Sequence, residues 1–112
     1  SEAEEEAIRE KEGKPVLEKL RPNDFLVALD LGKKEVDSVQ FASVLQGYFE
    51  KGGAKVSFVI GGSLGLSESL KKRANESLTL SKLTFPHQLT RVILLEQLYR
   101  GFRINNHQPY HK

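Results

Sequence analysis

Four short runs of this 112-residue chain bring together residue types that could do chemistry. The first is Ile60-Gly61-Gly62-Ser63-Leu64-Gly65-Leu66. Glycine reaches positive φ without strain and lets a ligand approach the main chain closely, so such a loop can grip a small molecule through its backbone. The spacing is neither the dinucleotide fingerprint nor the phosphate loop, since no Lys-Ser/Thr pair follows. Taken alone, the run fits a tight turn as well as a binding loop. The second run, Leu80-Ser81-Lys82-Leu83-Thr84-Phe85-Pro86-His87, leaves an apolar stretch, crosses a polar loop and ends on an imidazole at a helix start. The third is the i,i+4 pair Glu96 and Arg100 within an apolar stripe, where burying an ion pair is costly unless it is well satisfied. It is either a structural salt bridge or a pair kept for function. The fourth is the tail Asn105–Lys112, where Tyr110, His111 and Lys112 supply a phenol, an imidazole and a cation suited to RNA. A frayed terminus is the other reading of that segment.

The elements that must position these runs can be read from periodicity and punctuation. Ser1 and Glu4 have capping-box spacing, so a helix is expected from about residue 2, broken or kinked near Lys14 by Gly13 and Pro15. Phe25–Asp30 is a nearly continuous apolar run bounded by Pro22-Asn23 and Gly32, the pattern of a strand buried on both faces. Ser38 can cap a second helix with Phe41, Ala42, Leu45, Tyr48 and Phe49 on its apolar face, stopped by Gly52-Gly53. Lys55–Ile60 reads as a second buried strand, Ser67 can cap a third helix to about Asn75, and Leu78–Ser81 reads as a third strand. Pro86 suits the first turn of a last helix ending near Phe102 or Arg103. On that helix Leu89, Val92, Ile93, Glu96, Arg100 and Arg103 share one side, while Leu94, Leu95, Leu98 and Phe102 share the other. Both sides are therefore expected to be covered. Three strand–helix alternations argue for one α/β layer with a parallel sheet, whose ligands bind at the carboxyl ends of the strands.

Composition narrows the function classes. Hydrophobic residues make up 38% and charged residues 29%, as expected of a globular domain. There is no cysteine, which excludes disulfides, thiolate catalysis and cysteine-ligated metal, and no metal site is expected. No apolar run approaches the ~20 residues of a membrane span, and no secretory signal is visible, so a cytoplasmic location is expected. The net charge of +2 is uneven: residues 1–12 hold six glutamates against Arg9 and Lys11, leaving +6 for the remainder. From Lys82 onward Lys82, Arg91, Arg100, Arg103 and Lys112 face Glu96 alone. A basic C-terminal third is what a polyanion would need, although a solvated basic face looks the same by charge.

Four blocks in order, Val59–Leu66, Ser81–Leu89, Leu95–Arg100 and Pro109-Tyr110-His111-Lys112, resemble the RlmH branch of the SPOUT methyltransferases over essentially the whole chain. The resemblance implies a parallel-sheet α/β fold with a C-terminal trefoil knot, a homodimer whose active site uses both subunits, and S-adenosylmethionine as cofactor. It implies methyl transfer to N3 of a pseudouridine in helix 69 of 23S ribosomal RNA on the assembled ribosome. Position by position, it assigns the cofactor to Leu29, Gly61, Leu80, Ser81, Lys82, Leu83, Thr84 and Phe85. Glu96, Arg100, Tyr110 and His111 would surround the target nucleotide, while His87, Arg103 and Lys112 would meet RNA.

The chain also departs from the family pattern. Leu29-Asp30-Leu31-Gly32-Lys33-Lys34 carries its glycine one place early, so an altered turn is expected after Asp30. The opening strand and helix of the family, on the order of 30 or more residues, have no counterpart here. Weakened dimerisation and low or absent ribosomal activity are expected of these 112 residues alone. The competing readings are a knotted domain that keeps only cofactor or RNA binding, a SPOUT enzyme acting on transfer RNA, and a nucleotide-binding α/β protein. The last is disfavoured by the absent phosphate-loop lysine.

Overall fold

The computed structural model describes residues 1–30, 33–53 and 55–109. In chain order the elements are α1 (Glu2–Lys19), β1 (Phe25–Leu29), α2 (Ser38–Gly52), β2 (Val56–Ile60), α3 (Glu68–Arg73), β3 (Glu76–Leu78) and α4 (His87–Asn105). The three strands form one parallel sheet in the order β2-β1-β3, with Phe25 opposite Val56 and Val27 opposite Glu76. No helix among the described residues is long and apolar enough to cross a membrane.

The central strand explains the layering. All five residues of β1 are buried, as its unbroken apolar run predicts. Its pleat sends Phe25, Val27 and Leu29 to one face, with Phe41 and Tyr48 of α2 and Leu94 of α4. Leu26 and Ala28 go to the other face, with Leu66, Leu70 and the half-buried Val16 and Leu17 of α1. Each such leucine contributes on the order of 1.5–3 kcal/mol of burial. Asn75 ties the α3–β3 connection to the same strand: its side-chain oxygen accepts from the Leu26 amide at 2.8 Å, and its own amide donates to the Leu26 carbonyl at 2.8 Å.

Several boundaries differ from the sequence-based expectation for identifiable reasons. The first helix runs unbroken through Gly13 and Pro15. Packing holds it on both sides of the proline: Gly13 sits where a Cβ would lie 2.9 Å from the Ser67 hydroxyl, and Val16, Leu17 and Leu20 pack on the second core. Asp37, rather than Ser38, caps α2, in a reciprocal capping box with Gln40. The third strand begins at Glu76 and ends at Leu78 because β1 pairs from Val27 onward. Beyond it Thr79 is used differently, its hydroxyl donating to the Asp30 carbonyl and accepting from the Lys33 amide. That one hydroxyl fastens the exit of β3 to the exit of β1.

The last helix is not covered on both sides. Leu94 and Gly101 are buried against α2, whereas Leu89, Val92, Leu95, Tyr99 and Phe102 are exposed in the single chain. The long helix α1 could have shielded them, but it lies on the opposite face of the sheet, against α3.

Candidate active site

Parallel strands end on one edge, and here that edge opens into a cavity of about 930 Å³. Leu29 and Asp30 of the β1 end, Ile60 and the Gly61–Leu66 loop after β2, and Thr79 to Phe85 after β3 line it, Lys82 excepted. Pro86, His87, Thr90 and Ile93 close it from the start of α4. A size near the upper end of the ~300–1,000 Å³ usual for small-molecule sites suits a nucleoside-sized ligand.

The glycine loop is built by close backbone contact. A Cβ on Gly61 would lie 2.7 Å from the carbonyl carbon of Gly65, so no other residue fits there. Gly65 has φ +89, a region open to glycine, and its amide donates to the Gly62 carbonyl at 3.0 Å. The loop is thus folded back on itself at the cavity edge. The second loop is pinned by Ser81, whose hydroxyl accepts from the Leu83 amide at 3.0 Å.

Of the residues expected at the cofactor, Leu29, Gly61, Leu80, Ser81, Leu83, Thr84 and Phe85 share this lining. Lys82 does not: it is exposed and outside the lining, because the Ser81–Leu83 turn sends it outward. His87, the first residue of α4, lies at the cavity rim. Glu96 and Arg100 follow Ile93 along one side of α4, and the guanidinium grips the carboxylate twice, at 3.2 and 3.3 Å. The pair is half-buried and sits beyond the lining rather than within it. Arg103 stacks over the Tyr99 ring at 5.8 Å and donates to the Pro109 carbonyl at 3.4 Å. The expectations for Tyr110, His111 and Lys112, and for the turn at Leu31-Gly32, lie outside the described residues.

Sequence reasoning did not place Arg9, Asp30, Lys71 or Thr79 at the cavity. Asp30 and Lys71, both in the lining, pair at 3.8 Å. Arg9 reaches it from α1, with its Nε donating to Glu6 at 2.9 Å, its Nη2 to Glu2 and its Nη1 to the Leu64 carbonyl at 3.3 Å. The hydrogen bond from Arg9, followed by one from the Glu68 amide, holds the Glu6 carboxyl below its ordinary value. Nothing in the pattern of residues 1–12 signalled this, since the glutamates read equally well as first-turn charges on a solvated helix.

A family profile described as "Predicted SPOUT methyltransferase" matches residues 1–111. The whole chain is 54% identical to ribosomal RNA large subunit methyltransferase H of Clostridium beijerinckii, and 52% identical to the proteins of the same name from Clostridium tetani and Bacillus cytotoxicus. It spans 70% of the length of each. The chain belongs to the SPOUT methyltransferase family and, within it, to the RlmH branch that its four sequence blocks resemble. The three-stranded parallel sheet fits that fold.

Proposed function

We propose that the cavity at the strand ends binds S-adenosylmethionine and that the chain directs its methyl group to N3 of a pseudouridine in helix 69 of 23S ribosomal RNA, on the assembled ribosome in the cytoplasm. The observation that carries this reading is the convergence of Leu29, Gly61 and the Leu80–Phe85 loop on one cavity, with Lys82 alone outside it. The residues fit the cofactor. Leu29, Ile60 and Leu80 offer an apolar floor for a purine, and the crowded Gly61–Gly65 contact leaves backbone rather than side chain facing the ligand.

Bound there, S-adenosylmethionine supplies a methyl group already activated by its sulfonium. What remains for the protein is to align the nucleophilic nitrogen and to take its proton. Arg100 is proposed to stabilise negative charge on a uracil oxygen, and either Glu96 or His111 to accept the imide proton. Tyr110 completes the group around the base. His87, Arg103 and Lys112 are proposed to meet RNA, with phosphate contacts fixing register rather than reading sequence. The exposed apolar stripe of α4 supports a homodimer, since a single chain leaves Leu89, Val92, Leu95 and Tyr99 in water. The C-terminal trefoil knot belongs to the same reading, as the family's way of folding the Leu80–Phe85 loop and the tail around the cofactor.

Two measurements on this chain test the proposal. Titration calorimetry with S-adenosylhomocysteine should show micromolar binding. Labelled S-adenosylmethionine should transfer its methyl, at a low rate, to assembled ribosomes in preference to free 23S RNA or transfer RNA. Binding without transfer to any of these would favour a domain that keeps only the pocket. Absence of binding would overturn the reading.

A further inference from the structure

The acidic first helix does more than carry charge. Along one side of α1, Glu6 accepts from the Glu68 amide at 3.2 Å, and Glu10 accepts from the amide and hydroxyl of Ser69 at 3.2 and 2.9 Å. Gly13 then meets Ser67 and Leu70. The helix therefore lies along the start of α3 like a splint. One residue extends the splint to the cavity. The Arg9 side chain is only 12% exposed, and its guanidinium spans Glu2, Glu6 and the Leu64 carbonyl at the crown of the glycine loop.

At its base that loop is closed by the Gly61–Gly65 backbone contact and anchored by the buried Leu66, while Arg9 reaches its crown at the Leu64 carbonyl. Its own hydrogen bond runs from Gly65 to Gly62, and three of its residues are glycines, which favour no single conformation. A carbonyl at its crown would otherwise be held by water. The two carboxylates offset the arginine charge, so the guanidinium acts as a neutralised linker and not as a receptor for an anion. A guanidinium suits this geometry because its donors form a rigid fork, which the point charge of a lysine cannot reproduce.

We infer that Arg9 is a positioning residue, which holds the Gly61–Leu66 loop in its ligand-ready shape through the Leu64 carbonyl. The inference rests on the cofactor-binding reading of the cavity. It predicts that cofactor affinity depends on a residue whose own contacts are to protein.

The test compares the unaltered chain with Arg9→Gln, Arg9→Lys and Leu17→Ala, using S-adenosylhomocysteine titration, thermal unfolding and amide exchange. Leu17 packs α1 onto the second core, so Leu17→Ala loosens the same helix while leaving the Arg9–Leu64 hydrogen bond in place. Arg9→Gln should bind about tenfold more weakly, the change that corresponds to ~1.4 kcal/mol. Arg9→Lys should fall between it and the unaltered chain, and it carries the test if the glutamine variant fails to fold. The amides of Gly62 to Gly65 should exchange faster in both arginine variants. Leu17→Ala should melt lower yet keep its affinity. Unchanged affinity in the arginine variants would overturn the inference, as would an equal loss in Leu17→Ala. Failure of the unaltered chain to bind would instead overturn the reading of the cavity itself.

Discussion

Gly61 and Gly65 touch so closely that a single added methyl carbon on the first would sit 2.7 Å from the carbonyl carbon of the second. The obstacle is backbone, which cannot swing aside as a side-chain tip can. Gly61→Ala should therefore force the loop open, at a cost of roughly 1–3 kcal/mol of stability. The same change should abolish detectable S-adenosylhomocysteine binding, read by calorimetry beside a melting curve. Retained affinity with an unchanged melting temperature would mean that the loop has slack its geometry does not show.

Arg100 offers the opposite signature, because it stands beyond the cavity lining and holds Glu96 in a two-point grip. Arg100→Ala should leave cofactor affinity within about twofold while turnover falls by roughly 100-fold or more, the pattern of an interaction made in the transition state. Unchanged turnover would remove Arg100 from the proposed mechanism. Glu96→Gln separates the two candidate proton acceptors. It should lose turnover if the carboxylate takes the proton, and keep most of it if His111 does.

These sites were legible in the sequence to different degrees. The β1 strand was plain, because so short and unbroken an apolar run between turn residues fits little but a strand buried on both faces. The two loops could be placed at strand ends, but their convergence on one cavity follows from β1 lying between β2 and β3, and no local pattern encodes that order. Pro15 misled because helix propensity is a local quantity, while Gly13, Val16 and Leu17 secure the helix through tertiary packing. Arg9 was invisible for a related reason: the partner that brings it to the cavity is a main-chain carbonyl 55 residues away, which carries no side-chain signature. Thr79 was hidden likewise, since a hydroxyl that bonds two backbone groups looks like any strand threonine.

The expectation that α4 would be covered on both sides fails within one chain, and that failure is itself informative. Leu95 is 59% exposed and Val92 60%, in a stripe continuous with Tyr99. A second copy laid on this stripe would complete the burial that the apolar pattern asks for. The unaltered chain should sediment as a concentration-dependent dimer, and Leu95→Glu as a monomer at every concentration with little change in melting temperature. An unaltered chain that stays monomeric at high concentration would leave the stripe without that partner.

Tyr48 sets an alkaline limit to the fold. It is 5% exposed between Phe25 and Phe58, and burial, with a smaller contribution from Glu76, pushes its phenol up to about 12 from 10.0. The neutral form is the one the core favours, so the stabilisation is complete below the unfolded value and is lost as pH rises toward the folded one. Between those values stability should fall by about 1.4 kcal/mol per pH unit from this group. Tyr48→Phe should flatten that decline while changing little at neutral pH, as chemical denaturation at pH 8 and pH 11 would show. Parallel declines in the two proteins would assign the alkaline loss to other groups.

The end of α4 closes in a tight left-handed turn. His107 takes φ 56, its amide donates to the Ile104 carbonyl at 3.0 Å, and the Gln108 amide reaches back to the Arg103 carbonyl at 2.8 Å. Those two bonds around a left-handed residue make a Schellman motif, in which glycine is the usual occupant and a side chain costs about 1–2 kcal/mol. His107→Gly should therefore raise the melting temperature or leave it unchanged. His107→Val, whose branched side chain resists positive φ, should lower it. If the motif directs Tyr110 and His111 toward the target base, the valine variant should also lose turnover while binding S-adenosylhomocysteine normally. A valine variant with full turnover would show that the tail finds its place without this turn.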